Sequence, residues 1–260
     1  MIEQNMFEKR ILILAPHPVD ELVGCATAIH RAVQDRCHVF ILFLTHGMSE
    51  VNRQTYQDQK NFRQNLRLRQ RIIGRIADEL CVEVLNNGDL HSHQLIDNIR
   101  RPWQVINDAI EQTRPHVIWA PAYEGGHPDH DITNYLASTF RSSADVWEFS
   151  EYHFAGNEQH TNSFISDEGT QVFIELKPDE KKRKQELLTL YDFGHRHLLE
   201  FPCVQEVFRL LPDYDYSEPP FPNRPIYQEF NQSLCQHLES CNPQQVSRAI
   251  MTYHEHSVAA

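Results

Sequence analysis

Short hydrophobic runs alternate with longer amphipathic stretches along the first half of the chain. Ile11–Ala15, His38–Leu44 and His116–Ala120 consist mainly of β-branched, leucyl and aromatic residues, so each of them predicts a buried strand. Between these runs, apolar residues recur every three or four positions, as in Leu22–Val33 and Asn61–Leu80, and this spacing predicts amphipathic helices. Strands that alternate with helices in this way indicate an α/β protein with a mostly parallel sheet.

The rest of the chain predicts further elements around this core. A short strand at Val82–Leu85 is expected to end at the turn Asn86–Asp89, and Leu211–Tyr227 is an irregular stretch rich in proline, aspartate and tyrosine. We therefore expect a single domain that spans residues 1–260 and carries a C-terminal embellishment. The remaining predicted elements are helices at Ile96–Thr113, Thr133–Arg141, Asp179–Leu190 and Gln228–Met251, and strands at Val146–Ser150 and Thr170–Leu176.

Composition and charge narrow the class of protein. The formal net charge of −12 argues against a general nucleic-acid binder and against binding to anionic membrane surfaces. No apolar run is long enough to predict membrane insertion, and the mixed charges of the first ten residues do not resemble a signal peptide. The six cysteines are scattered without a C-x-x-C pair, so they are expected to be reduced thiols in a cytoplasmic protein. Nothing in the sequence predicts the oligomeric state.

Two of the predicted strands are followed by clusters of histidine and carboxylate residues. The first strand is followed by Pro-His-Pro, which contains His17, and then by Asp20 and Glu21; the third is followed by Gly-Gly-His-Pro-Asp-His at residues 125–130. Because the carboxyl ends of parallel strands share one edge of the sheet, we expect the two clusters to converge. The chain has no G-x-G-x-x-G phosphate loop, which argues against a nucleotide-binding protein. Histidine and carboxylate ligands with one open position are typical of a catalytic zinc site.

Each of these residues also has a simpler interpretation. Asp20 could cap the first helix, His17 could stabilise a turn, and His130 could be a packing histidine. Two such clusters at two strand ends nevertheless favour a metal site with His17, Asp20 and His130 as ligands. Zinc in this site would polarise a substrate carbonyl and activate water. His127 and Asp129 lie beside the third ligand, where the carboxylate could orient the imidazole as an acid.

The motifs PHPVDE after the first strand, LTHG after the second and GGHPDH after the third resemble those of the LmbE/PIG-L superfamily of zinc-dependent N-deacetylases. The resemblance covers about residues 10–200, with residues 201–260 as the C-terminal extension. It implies a Rossmann-like, three-layer α/β fold and removal of an acetyl group from an N-acetylglucosamine-type amide. It also implies that His17, Asp20 and His130 bind Zn²⁺, that His127 stabilises the oxyanion or acts as acid, and that Asp129 is the partner of His127.

Val19 departs from the pattern of that family. The first motif of the family usually reads His-Pro-Asp-Asp-Glu, and its first aspartate is the general base, but this chain has valine there. A valine cannot accept a proton, and general-base catalysis is typically worth about 10²–10⁴-fold in rate. Zinc binding should survive, because the ligands are unchanged. Three explanations stay open: an engineered substitution that traps substrate, a natural pseudoenzyme, or a base supplied by Glu21 or Asp129.

The rim of the site is expected in loops at the same edge of the sheet. Thr45–Asn52, His153–Asp167 and the region of Arg69 are the predicted lining segments. The resemblance implies a substrate-binding arginine on the long helix, before a Leu-Gly pair; Arg69 matches by spacing, although Leu80-Cys81 replaces that pair. A basic row on the same helix is either a solvated face or an anion site; it comprises Lys60, Arg63, Arg67, Arg71 and Arg75.

Two functions from different classes follow from these patterns. The first is a metal-dependent amide hydrolase, an N-deacetylase that acts on an N-acetylated sugar or glycoconjugate. The second is a catalytically inactive, zinc-containing protein that binds such a sugar without turning it over. Val19 is the residue that separates the two hypotheses, and an assay for the deacetylated product distinguishes them.

Overall fold

The structure, a computed structural model, describes residues 6–48, 56–153, 160–191, 203–220 and 242–258. Strands and helices alternate along most of these residues. The strands are Arg10–Ala15 (β1), His38–Thr45 (β2), Glu83–Leu90 (β3), Val117–Pro121 (β4), Asp145–Phe149 (β5), Tyr152–His153 (β6), His160–Thr161 (β7), Gln171–Glu175 (β8) and Gln205–Leu210 (β9). The helices are Asp20–Gln34 (α1), Tyr56–Leu80 (α2), Arg100–Thr113 (α3), Pro128–Ser138 (α4), Pro178–Leu188 (α5) and Pro243–Val258 (α6), with a 3-10 turn at Thr189–Tyr191.

A seven-stranded sheet forms the middle of the molecule, in the order β3-β2-β1-β4-β5-β9-β8. The first five of these strands run parallel to one another, β9 is antiparallel to β5, and β8 is antiparallel to β9. Strands β6 and β7 form a separate small hairpin. The prediction of an α/β protein with a mostly parallel sheet is therefore confirmed.

Helices cover both faces of the sheet, because its strands bury side chains on both sides. Along β1, Ile11 and Ile13 join one hydrophobic cluster, whereas Leu12 and Leu14 join the other. This alternation is expected of a strand, whose successive side chains point to opposite faces. Helices α1, α2 and α5 contribute to the first cluster, and α3, α4 and α6 contribute to the second. The result is three layers, helix, sheet and helix, as the resemblance implied.

Several element boundaries differ from the predictions. Strand β3 continues through the expected turn at Asn86–Asp89, with irregular pairing to β2. Helix α4 begins at Pro128, five residues before the predicted start, because proline suits the first turn of a helix, where its missing N–H costs nothing. Strand β9 was not predicted, and it lies inside the sheet although its residues fall in the expected C-terminal extension. The predicted final helix overlaps α6, and its residues 228–241 lie outside the described residues.

Helix α1 is broken in its middle and lies very close to the sheet. Cys25 has a φ of −147°, which is not helical, so the helix consists of two halves joined at a kink. Just before the kink, an ideal Cβ at Gly24 would lie 2.2 Å from Cδ2 of the fully buried Phe149 on β5. Only glycine therefore allows this close approach.

A buried ion pair fills the kink. Glu206 on β9 accepts hydrogen bonds of 2.8 Å from the backbone N–H groups of Thr27 and Ala28. Lys184 on α5 donates to Glu206 at 2.8 Å and to the backbone carbonyl of Val23 at 2.7 Å. These are the backbone groups that a kink deprives of helical partners, and buried groups of this kind must find others. The two charged residues thus complete the hydrogen bonding of α1.

Two of the predictions from composition concern thiols and membranes. Cys25, Cys37, Cys81 and Cys203 are free, and the remaining two cysteines lie outside the described residues. Among the residues that the structure describes, no helix is long and apolar enough to cross a membrane.

Candidate metal centre

The two histidine clusters lie at the carboxyl ends of β1 and β4, which are neighbours in the sheet. The strand order reverses at this point, and such a switch point is where open α/β sheets place their binding sites. His17 sits on the turn between β1 and α1. His127 is the N-cap of α4, and its Nδ1 accepts a hydrogen bond of 3.1 Å from the backbone N–H of Asp129. Asp129 and His130 therefore occupy the first turn of α4.

Asp20 links the two histidines that the sequence predicts as zinc ligands. Its Oδ2 lies 3.1 Å from Nδ1 of His17 and 3.4 Å from Nε2 of His130. The same oxygen accepts a bond of 2.8 Å from the backbone N–H of His17, which fixes the turn. All three residues are buried. The structure thus brings His17, Asp20 and His130 together, as the sequence predicted.

Three overlapping groups of side chains have ligand atoms that lie within 4.8 Å of one another. These groups, found among the described residues, are His17-His127-His130, Asp20-His130-Glu151 and His93-His127-Asp129. Imidazoles and carboxylates without a thiolate suit zinc and also other divalent ions. Both carboxylate oxygens of the buried Glu151 lack a hydrogen-bond partner among the described residues, which also fits a site for a cation. The donor set therefore fits the predicted metal.

The electrostatics of this cluster favour positive charge between carboxylates. Burial alone would lower the pKa of His17, but Asp20 and Asp129 raise it to about 9. Burial opposes ionisation of Asp20 too, yet His130 and His17 lower the pKa of this carboxyl group. His127 differs, because burial and the neighbouring His93 lower its pKa well below the usual value. The cluster thus combines the neutral imidazole of His127 with two carboxylates, those of Asp20 and Asp129, which attract cations.

Asp129 has different partners from the one expected. The carboxylate was expected to orient His127, but its Oδ2 lies 2.9 Å from Nε2 of His17 and accepts a bond of 2.6 Å from the backbone N–H of His93. Its Oδ1 accepts a longer bond of 3.3 Å from the backbone N–H of Leu95. Contact with His127 runs instead through the backbone N–H of Asp129. The reason is that both residues lie on the first turn of α4, where an N-cap side chain accepts from the backbone two residues on.

Glu21 and Val19 are joined by a hydrogen bond inside the turn. One oxygen of Glu21 accepts a bond of 2.7 Å from the backbone N–H of Val19, and the other accepts a bond of 3.2 Å from the hydroxyl of Tyr191. Burial raises the pKa of Glu21 to about 8. Val19 is buried and has a φ of 116°, a conformation that β-branched residues rarely adopt. Glu21, one of the two alternative bases, is therefore engaged in holding this turn.

Arg69 lies on the same side of the molecule as the histidines. Its guanidinium approaches the turn after β2, where an ideal Cβ at Gly47 would lie 2.7 Å from Nη1. Its side chain is buried, which lowers the pKa, and the negative charges of Glu21 and Asp20 act on it in the opposite direction. Of the other rim segments, residues 49–52 and 154–159 lie outside the described residues.

Three residues near the centre were not predicted. Ser92 and His93 follow β3, and the hydroxyl of Ser92 lies 3.1 Å from Nε2 of His17. The ring of His93 stacks on that of His127 with 4.5 Å between centroids. These residues would have been found if the strand had been extended to Leu90, because they follow its carboxyl end. Glu151, after β5, belongs to no recognisable motif.

A family model matches part of this chain. No curated protein matches the chain. The family model PIG-L, described as GlcNAc-PI de-N-acetylase, matches residues 12–140. These residues include both clusters of the candidate centre.

Solved structures share the fold at low sequence identity. The A40926 pseudoaglycone deacetylase is 15% identical with a TM-score of 0.58, and the match covers 79% of this chain and 99% of that one. The N,N′-diacetylchitobiose deacetylase from Pyrococcus horikoshii is 14% identical with a TM-score of 0.56, over 82% and 87%. The 4-carboxy-2-hydroxymuconate hydratase from Pseudomonas putida is 13% identical with a TM-score of 0.56, over 80% and 98%. Residues 12–140 thus match the PIG-L family model, and the solved deacetylases share the fold of this chain.

Proposed function

We propose that this protein is a zinc-dependent N-deacetylase-like hydrolase that acts on an N-acetylated sugar or sugar conjugate. The convergence of His17, Asp20 and His130 at the switch point of the sheet is the observation that carries this proposal. Solved structures of the same fold include a deacetylase in complex with teicoplanin and an N,N′-diacetylchitobiose deacetylase, which supports a carbohydrate amide as substrate. We infer a cytoplasmic protein whose partner is this small molecule rather than nucleic acid.

The roles of the residues follow from their positions. His17, Asp20 and His130 would hold the zinc ion, which, when bound, supplies a Lewis acid for the amide carbonyl and for water. Hydrolysis adds water across the C–N bond, so the leaving amine must gain a proton. The attacking water supplies that proton. His127 is positioned to donate a hydrogen bond from Nε2 to the oxygen of the amide as negative charge develops there, because its Nδ1 accepts from the backbone N–H of Asp129. Arg69 would bind hydroxyl groups or a phosphate of the substrate.

Val19 limits how fast this reaction can run. Neither alternative base is free, because Glu21 bonds to Val19 and Tyr191, and Asp129 bonds to backbone N–H groups and His17. Either carboxylate would have to give up these bonds to accept a proton from water. We therefore expect the deacetylase activity to be lower than that of a related protein with aspartate at this position, or to be absent.

The same valine favours a second candidate function. A protein that keeps the metal ligands and replaces the base would recognise an acylated sugar without cleaving it. The two proposals share the metal centre and the ligand, and they differ only in turnover.

Metal analysis and a product assay test the proposal. The purified chain should contain about one zinc per molecule, and His17→Ala should lose it. Release of acetate is then followed from N-acetylglucosamine and N,N′-diacetylchitobiose, with binding measured in parallel. Slow acetate release supports the hydrolase, and binding without release supports the second candidate. A chain that binds neither metal nor sugar contradicts both.

A further inference from the structure

Glu151 is a buried carboxyl group with no hydrogen bond among the described residues. Glu151 follows β5 at the carboxyl edge of the sheet, and only 3% of this residue is exposed to solvent. Within the part of the chain that the structure describes, neither of its carboxylate oxygens has a hydrogen-bond partner. Burying a polar group without a partner costs folding free energy, so each such group in a folded protein requires an explanation.

Neighbouring buried glutamates do have partners. Glu148 accepts hydrogen bonds from Arg209, Tyr214 and Asn134, and Glu124 accepts one from the backbone N–H of Ile165. Glu151 differs from both although all three lie near the same edge of the sheet. Of these three buried glutamates, Glu151 is therefore the one whose carboxylate has no hydrogen-bond partner among the described residues.

The open carboxylate faces two predicted metal ligands. Oε1 of Glu151 lies 3.9 Å from Nδ1 of His130, whose Nε2 lies 3.4 Å from Oδ2 of Asp20. One ligand atom from each of the three residues lies within 4.8 Å of the others, and all three residues are buried. A divalent cation between them would supply the partner that the hydrogen-bond network lacks.

We propose that Glu151 is a direct ligand of the divalent ion held by Asp20 and His130. The inference rests on the proposed metal centre and adds a carboxylate to it. Catalytic zinc sites keep three protein ligands and one open position, whereas structural sites are closed by four. Asp20, His130 and Glu151 supply three ligand atoms for one ion, and His17, which contacts Asp20, lies beside them.

Zinc affinity of the full chain provides the first test. Glu151→Gln keeps the size of the side chain and removes its negative charge. Competition with a chelator should show zinc binding weakened by more than about 100-fold, the upper end of what loss of an outer-sphere partner costs. The visible spectrum of the Co²⁺-loaded protein should change as well, because a direct ligand is replaced by water or lost. Glu124→Gln, a change at another buried glutamate, should leave both the affinity and the spectrum unaltered.

Thermal stability with and without metal provides a second test that does not depend on activity. In the metal-free protein, Glu151→Gln should be at least as stable as the wild type, because it removes an unpartnered acid. With zinc bound, the same variant should melt at a lower temperature than the wild type, because ligand binding stabilises the folded state in proportion to its strength. A purely structural glutamate would shift both melting temperatures in the same direction.

The outcomes separate this inference from the function on which it rests. Unchanged zinc affinity in Glu151→Gln overturns it, and so does a weakened affinity with an unchanged Co²⁺ spectrum, since the glutamate would then only orient His130. If Glu151→Gln does not fold, Glu151→Asp keeps the charge on a shorter side chain and should bind zinc more weakly while it melts normally without metal. A wild-type chain that binds no zinc contradicts the proposed function as well as this inference.

Discussion

At the scale of single residues, Val19 combines a chemical change with a backbone strain. A non-glycine residue with φ of 116° is uncommon, and it is most costly for a β-branched side chain. Strained conformations of this kind cost about 1–3 kcal/mol and persist only where surrounding bonds enforce them. Here the hydrogen bond from Val19 N–H to Glu21 and the bonds of His17 to Asp20 do so. These hydrogen bonds therefore hold the turn in place, although valine disfavours this backbone conformation at residue 19.

Val19→Asp should restore the missing base without disturbing the ligands. Turnover of a suitable N-acetyl sugar should rise by about 10²–10⁴-fold, because a carboxylate can then take the proton of the attacking water. Zinc content should change little. Acetate release by the two proteins measures the effect.

The companion variant is Asp129→Asn in the wild-type background. Brisk deacetylation by the wild type, no gain in Val19→Asp and loss in Asp129→Asn would show that Asp129 has taken over as base. Our expectation of reduced activity would then be wrong.

The residues of the candidate site were predictable only where a motif carried them. His17, Asp20, His127 and His130 lie in short patterns directly after strands, and the shared edge of a parallel sheet explains why they meet. Glu151 is single, lies in no pattern and comes from a fifth strand. The partner of Asp129 was also beyond prediction, because it depends on how α4 and the segment after β3 face each other.

At the scale of elements, close packing of α1 on β5 depends on one glycine. Gly24→Ala should destabilise the protein by about 1–3 kcal/mol, because the new methyl group meets the ring of Phe149 and overpacked cores relax poorly. Gly74→Ala is the matched control in α2, where an added Cβ has no neighbour within 4 Å. That variant should gain up to about 1 kcal/mol from helix propensity. Urea unfolding of both variants gives the comparison. Changes of opposite sign in the free energy of unfolding are expected, and a neutral Gly24→Ala would contradict the close approach.

The ion pair in the kink of α1 leads to a second prediction for elements. Lys184→Met should lower the free energy of unfolding by about 3–5 kcal/mol, because it leaves the Glu206 carboxylate buried without its cation. Lys182→Met, at an exposed lysine of the same helix, should stay within about 0.5 kcal/mol of the wild type. A small effect at Lys184 would mean that the N–H groups of Thr27 and Ala28 suffice to hold the carboxylate.

The β6–β7 hairpin should make stability sensitive to acid. Burial and the stacked ring of His160 lower the pKa of His153 to about 4, below the usual value of 6.5. The unfolded state therefore binds the proton first, and stability falls as the pH drops from about 6.5 towards 4. Unfolding of the wild type and His153→Gln at pH 7 and pH 5 checks this. The variant should lose less stability over that interval, and an identical loss would exclude His153 as the cause.

Elements were predictable where the hydrophobic period was long and clear. The three central strands and the helix α2 follow their patterns closely. Strand β9, with the sequence QEVFRL, was missed because it is short and carries charged residues that are buried in the fold. Glu206 accepts a hydrogen bond from the backbone of α1, and Arg209 donates one to Glu148. Such charges are paired only by residues distant in the chain, and local pattern does not contain that information.

At the scale of the whole molecule, metal should link the candidate site to global stability. An ion present at 100 times its dissociation constant adds about 2.7 kcal/mol to the free energy of unfolding. A chelator should therefore lower the melting temperature of the wild type and leave that of His17→Ala unchanged. His116→Ala, at an exposed histidine away from the cluster, should respond like the wild type. Equal melting temperatures with and without chelator in all three proteins would contradict a metal centre.

The ion pair that completes α1 also bears on how the chain is made by the ribosome. The backbone N–H of Ala28 can form its hydrogen bond only after Glu206, 178 residues further along the chain, has been synthesised. At about 5–20 residues per second, that delay is roughly 10–40 seconds of synthesis. During this time the backbone N–H groups of Thr27 and Ala28, in the second half of the helix that begins with Asp20, lack this hydrogen-bond acceptor. His17 and Asp20 are therefore translated early, but the helix that follows them completes its hydrogen bonds only after Glu206 has been made.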